Sequence, residues 1–240
     1  MATVILLRHA RSTANGSGVL AGRTPKVALD EAGLAQAAAL VARLATVPLV
    51  GVVSSPLQRC RQTVAPLVAE RGLPVVTDGG FAEVDYGEWT GRKLSGLVKE
   101  PLWRVVQAHP SAAVFPGGEG LAGVQSRAVA AVRAHDARIT AAHGAGAVWL
   151  VCSHGDVIKG LLADALGVHL DSFQRIVVDP CSVSVVRYTD TRPFVLRVND
   201  TGGDLAGIVP PVPPKKGRRK ASDSDAVVGG STGVVKPRHG

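Results

Sequence analysis

The feature that most restricts the fold is an alternation. Six apolar runs of strand length are separated by segments whose apolar residues recur with helical spacing. The runs are Val4 to Leu7, Leu49 to Val53, Val75 to Thr77, Val148 to Cys152, Ser182 to Tyr188 and Phe194 to Val198. Helical spacing is carried by Glu31 to Leu44, Leu57 to Glu70, Leu121 to about Ile139, and Val157 to Leu166. Strands that alternate with helices predict an α/β domain, a three-layer sandwich whose largely parallel central sheet is flanked by helices on both faces. No internal repeat interrupts this pattern.

None of the apolar runs approaches the roughly 20 residues of a membrane span, and the N-terminus lacks the basic segment and longer apolar stretch of a secretory signal. A cytoplasmic protein with no membrane partner is expected. Three cysteines, Cys60, Cys152 and Cys181, without CxxC spacing, suggest neither a disulfide framework nor a zinc site, and no metal or other cofactor is expected. The formal net charge of +8 is unevenly distributed. Beyond residue 205 there are seven Lys and Arg against two Asp, a net +5, which leaves +3 for the body and demands no nucleic-acid-binding face there. Composition changes near Gly207, where Pro210-Pro211-Val212-Pro213-Pro214 runs into a basic cluster from Lys215 to Lys220. The chain is therefore divided into a domain over 1–206 and a disordered Pro/Lys/Arg-rich tail over 207–240. The tail's PxxP and basic elements read as solubilising, and no partner is assigned to it.

Ligands of such sheets bind beyond the carboxyl ends of the strands. There the sequence places Arg8-His9, then Ser54-Ser55 with Arg59, then Ser153-His154-Gly155. If the three runs are neighbours, two arginines and two histidines converge, a cluster suited to an anion. Arg59, on the first turn of its helix, leans back toward the strand end and matches phosphate oxygens with its fork of donors. Ser55, Pro56 and Gln58 read as a capping box that starts this helix, and Arg61 points elsewhere, as a surface residue. His9 can attack phosphorus through one neutral ring nitrogen while the backbone orients the other. The leaving oxygen needs an acid and the later water a base, and Glu83 is the candidate for both.

Leu6-Leu7-Arg8-His9-Ala10-Arg11-Ser12 with Asn15 resembles the RHG signature of the histidine phosphatase, or phosphoglycerate mutase-like, superfamily. Further stretches are similar to that family's motifs in the same order: Leu29 to Ala37, Ser54 to Thr63, Glu83 to Gly91, Pro116 to Glu119 and Ser153 to Gly155. The resemblance implies His9 as nucleophile, a phosphate pocket of Arg8, Arg59 and His154 with Asn15 assisting, Glu83 as proton donor, and His154 among the catalytic residues. It also implies a phosphoglycerate mutase-like fold. Two departures stand out. Ala10 replaces the usual glycine, adding a methyl group expected close to the bound phosphate, and Gly120 replaces a frequent serine, weakening a helix cap.

The expected activity is metal-independent hydrolysis of a small phosphorylated metabolite through a phosphohistidine. A phosphomutase is the alternative, and a non-catalytic phosphate-binding module a third reading. Gly91 to Phe115 is short for a bisphosphate-holding mutase, although Arg92, Lys93, Lys99, Arg104 and His109 within it could form a compact basic lid. Trp89 and Trp103 read as packing residues, and Glu119 and Arg127 as a structural pair. A homodimer is possible, as in other family members.

Overall fold

The computed structural model describes residues 1–203 and 228–229. Six strands form one sheet in the order β3-β2-β4-β1-β5-β6: β1 (Thr3–Arg8), β2 (Leu49–Ser54), β3 (Val75–Thr77), β4 (Val148–Ser153), β5 (Val183–Arg187) and β6 (Phe194–Asp200). The first four run parallel, β5 is antiparallel to β1, and β6 is antiparallel to β5. All six expected strands are present, with ends displaced by at most two residues.

The three layers follow from the period of two along each strand. In β1, Val4 and Leu6 join one apolar cluster while Ile5 and Leu7 join the other; in β4, Trp149 and Val151 face the first and Leu150 and Cys152 the second. Helices α6 (Leu121–His143) and α7 (Gly155–Leu166) cover the first face through Leu121, Val124, Val157 and Leu161. Helices α2 (Glu31–Arg43) and α3 (Gln58–Arg71) cover the second through Leu40, Val64 and Leu67. Burying a side chain of this size is worth about 1.5–3 kcal/mol, so both faces contribute to holding the sheet.

The segments without periodicity form smaller elements: α1 (Thr13–Ser17), α4 (Leu94–Leu97), α5 (Pro101–Ala108) and four 3-10 turns. Helix α5 opens on Pro101, whose missing N–H needs no partner there. Buried Trp89 stacks on Trp103 at 6.2 Å and meets Phe115 edge-on at 5.3 Å, so both tryptophans pack the wall of the domain. As expected from Gly120, α6 begins without a side-chain cap. The Ser55 capping box does not form: α3 starts at Gln58, with Leu57 at the cap position, and the Ser55 hydroxyl bonds a histidine ring at 2.8 Å while accepting from the Leu57 N–H at 3.4 Å. Of the tail assigned to 207–240, only Val228 and Gly229 lie within the described residues.

Candidate active site

The strand register builds the centre. Arg8 of β1 pairs with Ser153 of β4, so the residues that follow, His9 and His154, emerge side by side with ring centroids 5.2 Å apart. Ser54 of β2 pairs with Cys152, which brings Ser55 and the first turn of α3 to the same end of the sheet. Arg59 reaches back over it. Its Nε donates to His9 Nε2 at 3.2 Å, and its Nη2 donates to the Gly22 carbonyl at 2.9 Å and to His154 Nδ1 at 3.2 Å. Its buried Nη1 has no hydrogen-bond partner among the described residues, a costly state in a closed protein and a ready donor for an anion.

Hydrogen bonds settle which nitrogen of each ring carries the proton. His9 Nδ1 lies 2.7 Å from the Ala10 carbonyl, which can only accept, so Nδ1 is the protonated nitrogen and Nε2 keeps its lone pair. In His154, Arg59 donates to Nδ1, so Nε2–H donates to Ser55 Oγ at 2.8 Å. Burial, then the Arg59 charge, hold both rings well below the usual histidine range. His9 is thus a neutral imidazole with its free nitrogen turned toward a guanidinium.

Glu83 completes the cluster. Its Oε2 lies 3.9 Å from Arg59 Nη2 and 3.7 Å from His154 Nδ1, the latter no ion pair because the ring is neutral. Its Oε1 accepts from the Val84 N–H. Burial, reinforced by the nearby Asp156 charge and opposed by Arg59, pushes its carboxyl up to about 7. The loop that carries it is held by several bonds. The Glu83 carbonyl accepts from Arg23 and Arg127, Ser153 Oγ donates to the Phe81 carbonyl, and Glu119 grips Arg127 with both oxygens at 3.0 Å. The Glu119–Arg127 pair is structural, as expected, and its effect is to place Glu83.

Two of the sequence motifs meet here by backbone contact. Gly87 has φ +50°, and a Cβ on it would stand 2.0 Å from the Pro116 carbonyl oxygen, so only glycine fits. The Glu83 to Gly91 stretch therefore locks onto Pro116 to Glu119, with Glu119 N–H donating to the Asp85 carbonyl at 2.8 Å.

Arg8 is wholly buried, donating through Nη1 to the Val178 carbonyl at 2.7 Å. Asn15 lines the cavity. Its Oδ1 accepts from the Ser12 backbone and hydroxyl, leaving Nδ2 to serve a ligand. The structure corrects the expectation for Ala10: its methyl group belongs to the apolar cluster with Leu7, Leu29 and Leu40, and Ala10 does not line the cavity, because its N–H is tied to Thr63 Oγ1. Arg92, Lys93, Lys99, Arg104 and His109 are exposed and none lines the cavity; from that segment only Leu94 does. They form no basic lid over the site. Arg61 is exposed, as expected.

Sequence reasoning missed three contributors. Ser12 lines the cavity, and its S-x-x-N pattern at the start of α1 was a readable cap signal. Asp156, directly after Ser153-His154-Gly155, is buried and accepts from Tyr86 OH at 2.8 Å. The Gly22 carbonyl that orients Arg59 has no sequence signal at all, since any residue supplies one.

The family model of the histidine phosphatase superfamily (branch 1) matches residues 4–201, and the chain belongs to that superfamily. Phosphoserine phosphatase 1 of Hydrogenobacter thermophilus is 30% identical over 84% of this chain and 93% of its own length. The probable phosphoglycerate mutase GpmB of Yersinia pestis is 29% identical over 86% and 94%. Among solved structures, YhfR of Bacillus stearothermophilus superposes with a TM-score of 0.76 at 25% identity, covering 83% of this chain and 98% of that one. The α-ribazole phosphatase of Shigella flexneri shares the fold, with a TM-score of 0.71 at 24% identity, covering 83% and 96%.

Proposed function

We propose that the protein is a metal-independent phosphatase of small phosphomonoesters that works through a phosphohistidine on His9. One observation carries this reading: a neutral His9 with Nδ1–H fixed on the Ala10 carbonyl and Nε2 unprotonated, beside a buried carboxyl poised at about 7. His9 Nε2 attacks phosphorus as the P–O bond to the leaving group breaks, and protonated Glu83 delivers its proton to that oxygen. Glu83, now a carboxylate, takes a proton from water; the water oxygen bonds to phosphorus, the P–N bond breaks, and inorganic phosphate and His9 are regenerated. Arg8 and Arg59 neutralise the equatorial oxygens and Asn15 Nδ2 donates to them, the larger part of catalysis in phosphoryl transfer, while the neutral His154 ring orients Arg59 through Nδ1. Among the described residues Arg59 is the one arginine or lysine that lines the cavity, which supports hydrolysis over a mutase, since a mutase must hold a second phosphate.

The test is phosphate release from an aryl phosphate and a panel of phosphomonoesters, with EDTA throughout, by wild type and His9→Ala. Turnover and an acid-labile phosphoryl label in wild type only are expected. Equal turnover in both proteins refutes the nucleophile, and phosphoryl exchange from bisphosphoglycerate to phosphoglycerate outpacing hydrolysis would assign a mutase instead.

A further inference from the structure

The catalytic cavity already contains a piece of its own chain. Val228 and Gly229 line it together with His9, Arg59 and Glu83, although about two dozen residues separate them from Gly203. Such a connection can reach up to roughly 80 Å, so length does not limit the approach. Val228 is 1% exposed and belongs to the same apolar cluster as Leu20 and Tyr86. Gly229 makes two matched polar contacts: its carbonyl accepts from Arg8 Nη2 at 3.1 Å, and its N–H donates to Asp156 Oδ2 at 2.9 Å. With φ +81° and a virtual Cβ 3.1 Å from Leu20 Cδ1 and 3.7 Å from Tyr86 OH, the position suits glycine.

We propose that Val228–Gly229 is an internal ligand of the catalytic pocket that competes with the phosphoryl group for Arg8, so that substrate binds only when this segment leaves. The proposal rests on the pocket being the phosphate site. Three features carry it. First, the space left beside the segment is about 30 Å³, room for little more than water, whereas ligand sites measure about 300–1,000 Å³. Second, Arg8 does not line that space: its Nη2 is spent on the Gly229 carbonyl, a donor that a phosphate oxygen would otherwise take. Third, Asp156 holds out a buried carboxylate, which would repel an anionic substrate but suits an amide N–H. The site is therefore complementary to both backbone polar groups of one residue, the N–H and the C=O of Gly229. A bound phosphate carries full charges where the carbonyl carries a partial one, so substrate can displace the segment, at an affinity reduced by the fraction of time the pocket is open.

The experiment follows orthovanadate, a probe that binds without turnover, on the full chain. Hydrogen exchange of the peptide carrying Gly229 should show protection that saturating orthovanadate abolishes. Gly229→Val, strained at this φ and crowded by Leu20, and Val228→Ser, which loses apolar burial, should both bind orthovanadate about tenfold more tightly and lower KM to a similar degree with kcat unchanged. Protection that persists at saturating orthovanadate overturns the proposal, as does an affinity equal in all three proteins. If none of the three hydrolyses any ester yet orthovanadate still displaces the segment, the internal ligand stands and the phosphatase reading falls. If none binds orthovanadate, both fall.

Discussion

Replacing Glu83 with glutamine should make the protein more stable in mild alkali while removing its catalytic proton. The carboxyl group is buried and held at about 7 against an ordinary 4.5. At about 1.4 kcal/mol for each tenfold change in proton affinity, keeping it ionised in the folded protein costs about 3 kcal/mol relative to the unfolded chain. The sign follows from proton uptake. Between pH 4.5 and 7 the folded state binds more protons than the unfolded state, so wild-type stability falls as pH rises through that window, and by pH 8 the whole cost is present. Glutamine has the size of the protonated form and cannot ionise. Glu83→Gln should therefore gain about 2–3 kcal/mol over wild type at pH 8 relative to its difference at pH 4.5, while turnover drops by two orders of magnitude or more. Urea unfolding of both proteins across this pH range measures the double difference, to which groups common to both contribute little. A difference that does not change with pH would refute the burial argument, and a variant specifically weaker at pH 8 would mean that Arg59 outweighs desolvation.

The same carboxyl predicts that kcat/KM, corrected for substrate ionisation, declines above about pH 7, whereas no acid limb near 6.5 should appear, because His9 is held well below its usual range; an inflection at 6.5 that His9 controls would contradict this. Arg59→Lys should lower kcat/KM by about 10²-fold, since one ammonium cannot serve His9, His154 and the Gly22 carbonyl together; near-normal kinetics would show that charge alone suffices. Gly87→Ala should destabilise the fold by about 3 kcal/mol in denaturant titration, its methyl group meeting the Pro116 carbonyl at a positive φ, and a change below 1 kcal/mol would show that the Glu83 loop yields easily.

The six strands and four long helices were legible because each repeats a period that burial enforces: Val4 and Leu6 on one face, Ile5 and Leu7 on the other, Leu40 and Leu67 on helical stripes. The convergence of Arg8, His9, Arg59 and His154 was legible too, because each lies at or shortly beyond the carboxyl end of a strand and parallel strands present those ends together. Short elements between Gly79 and Ala112 escaped, since a turn or two carries too few apolar positions to show a period. Ser55 was misassigned because a capping hydroxyl and a histidine partner look alike in one dimension.

What the sequence by itself determined is the class of the domain and the residue types gathered at its catalytic end, both properties of local pattern and strand polarity. Only the tertiary structure decided the tautomer of each histidine, the burial that poises Glu83, the inward turn of the Ala10 methyl group and the seating of Gly229 on Arg8. Each of these depends on atoms brought within about 3 Å from distant parts of the chain, and on how much water their packing excludes, quantities that no spacing of letters encodes.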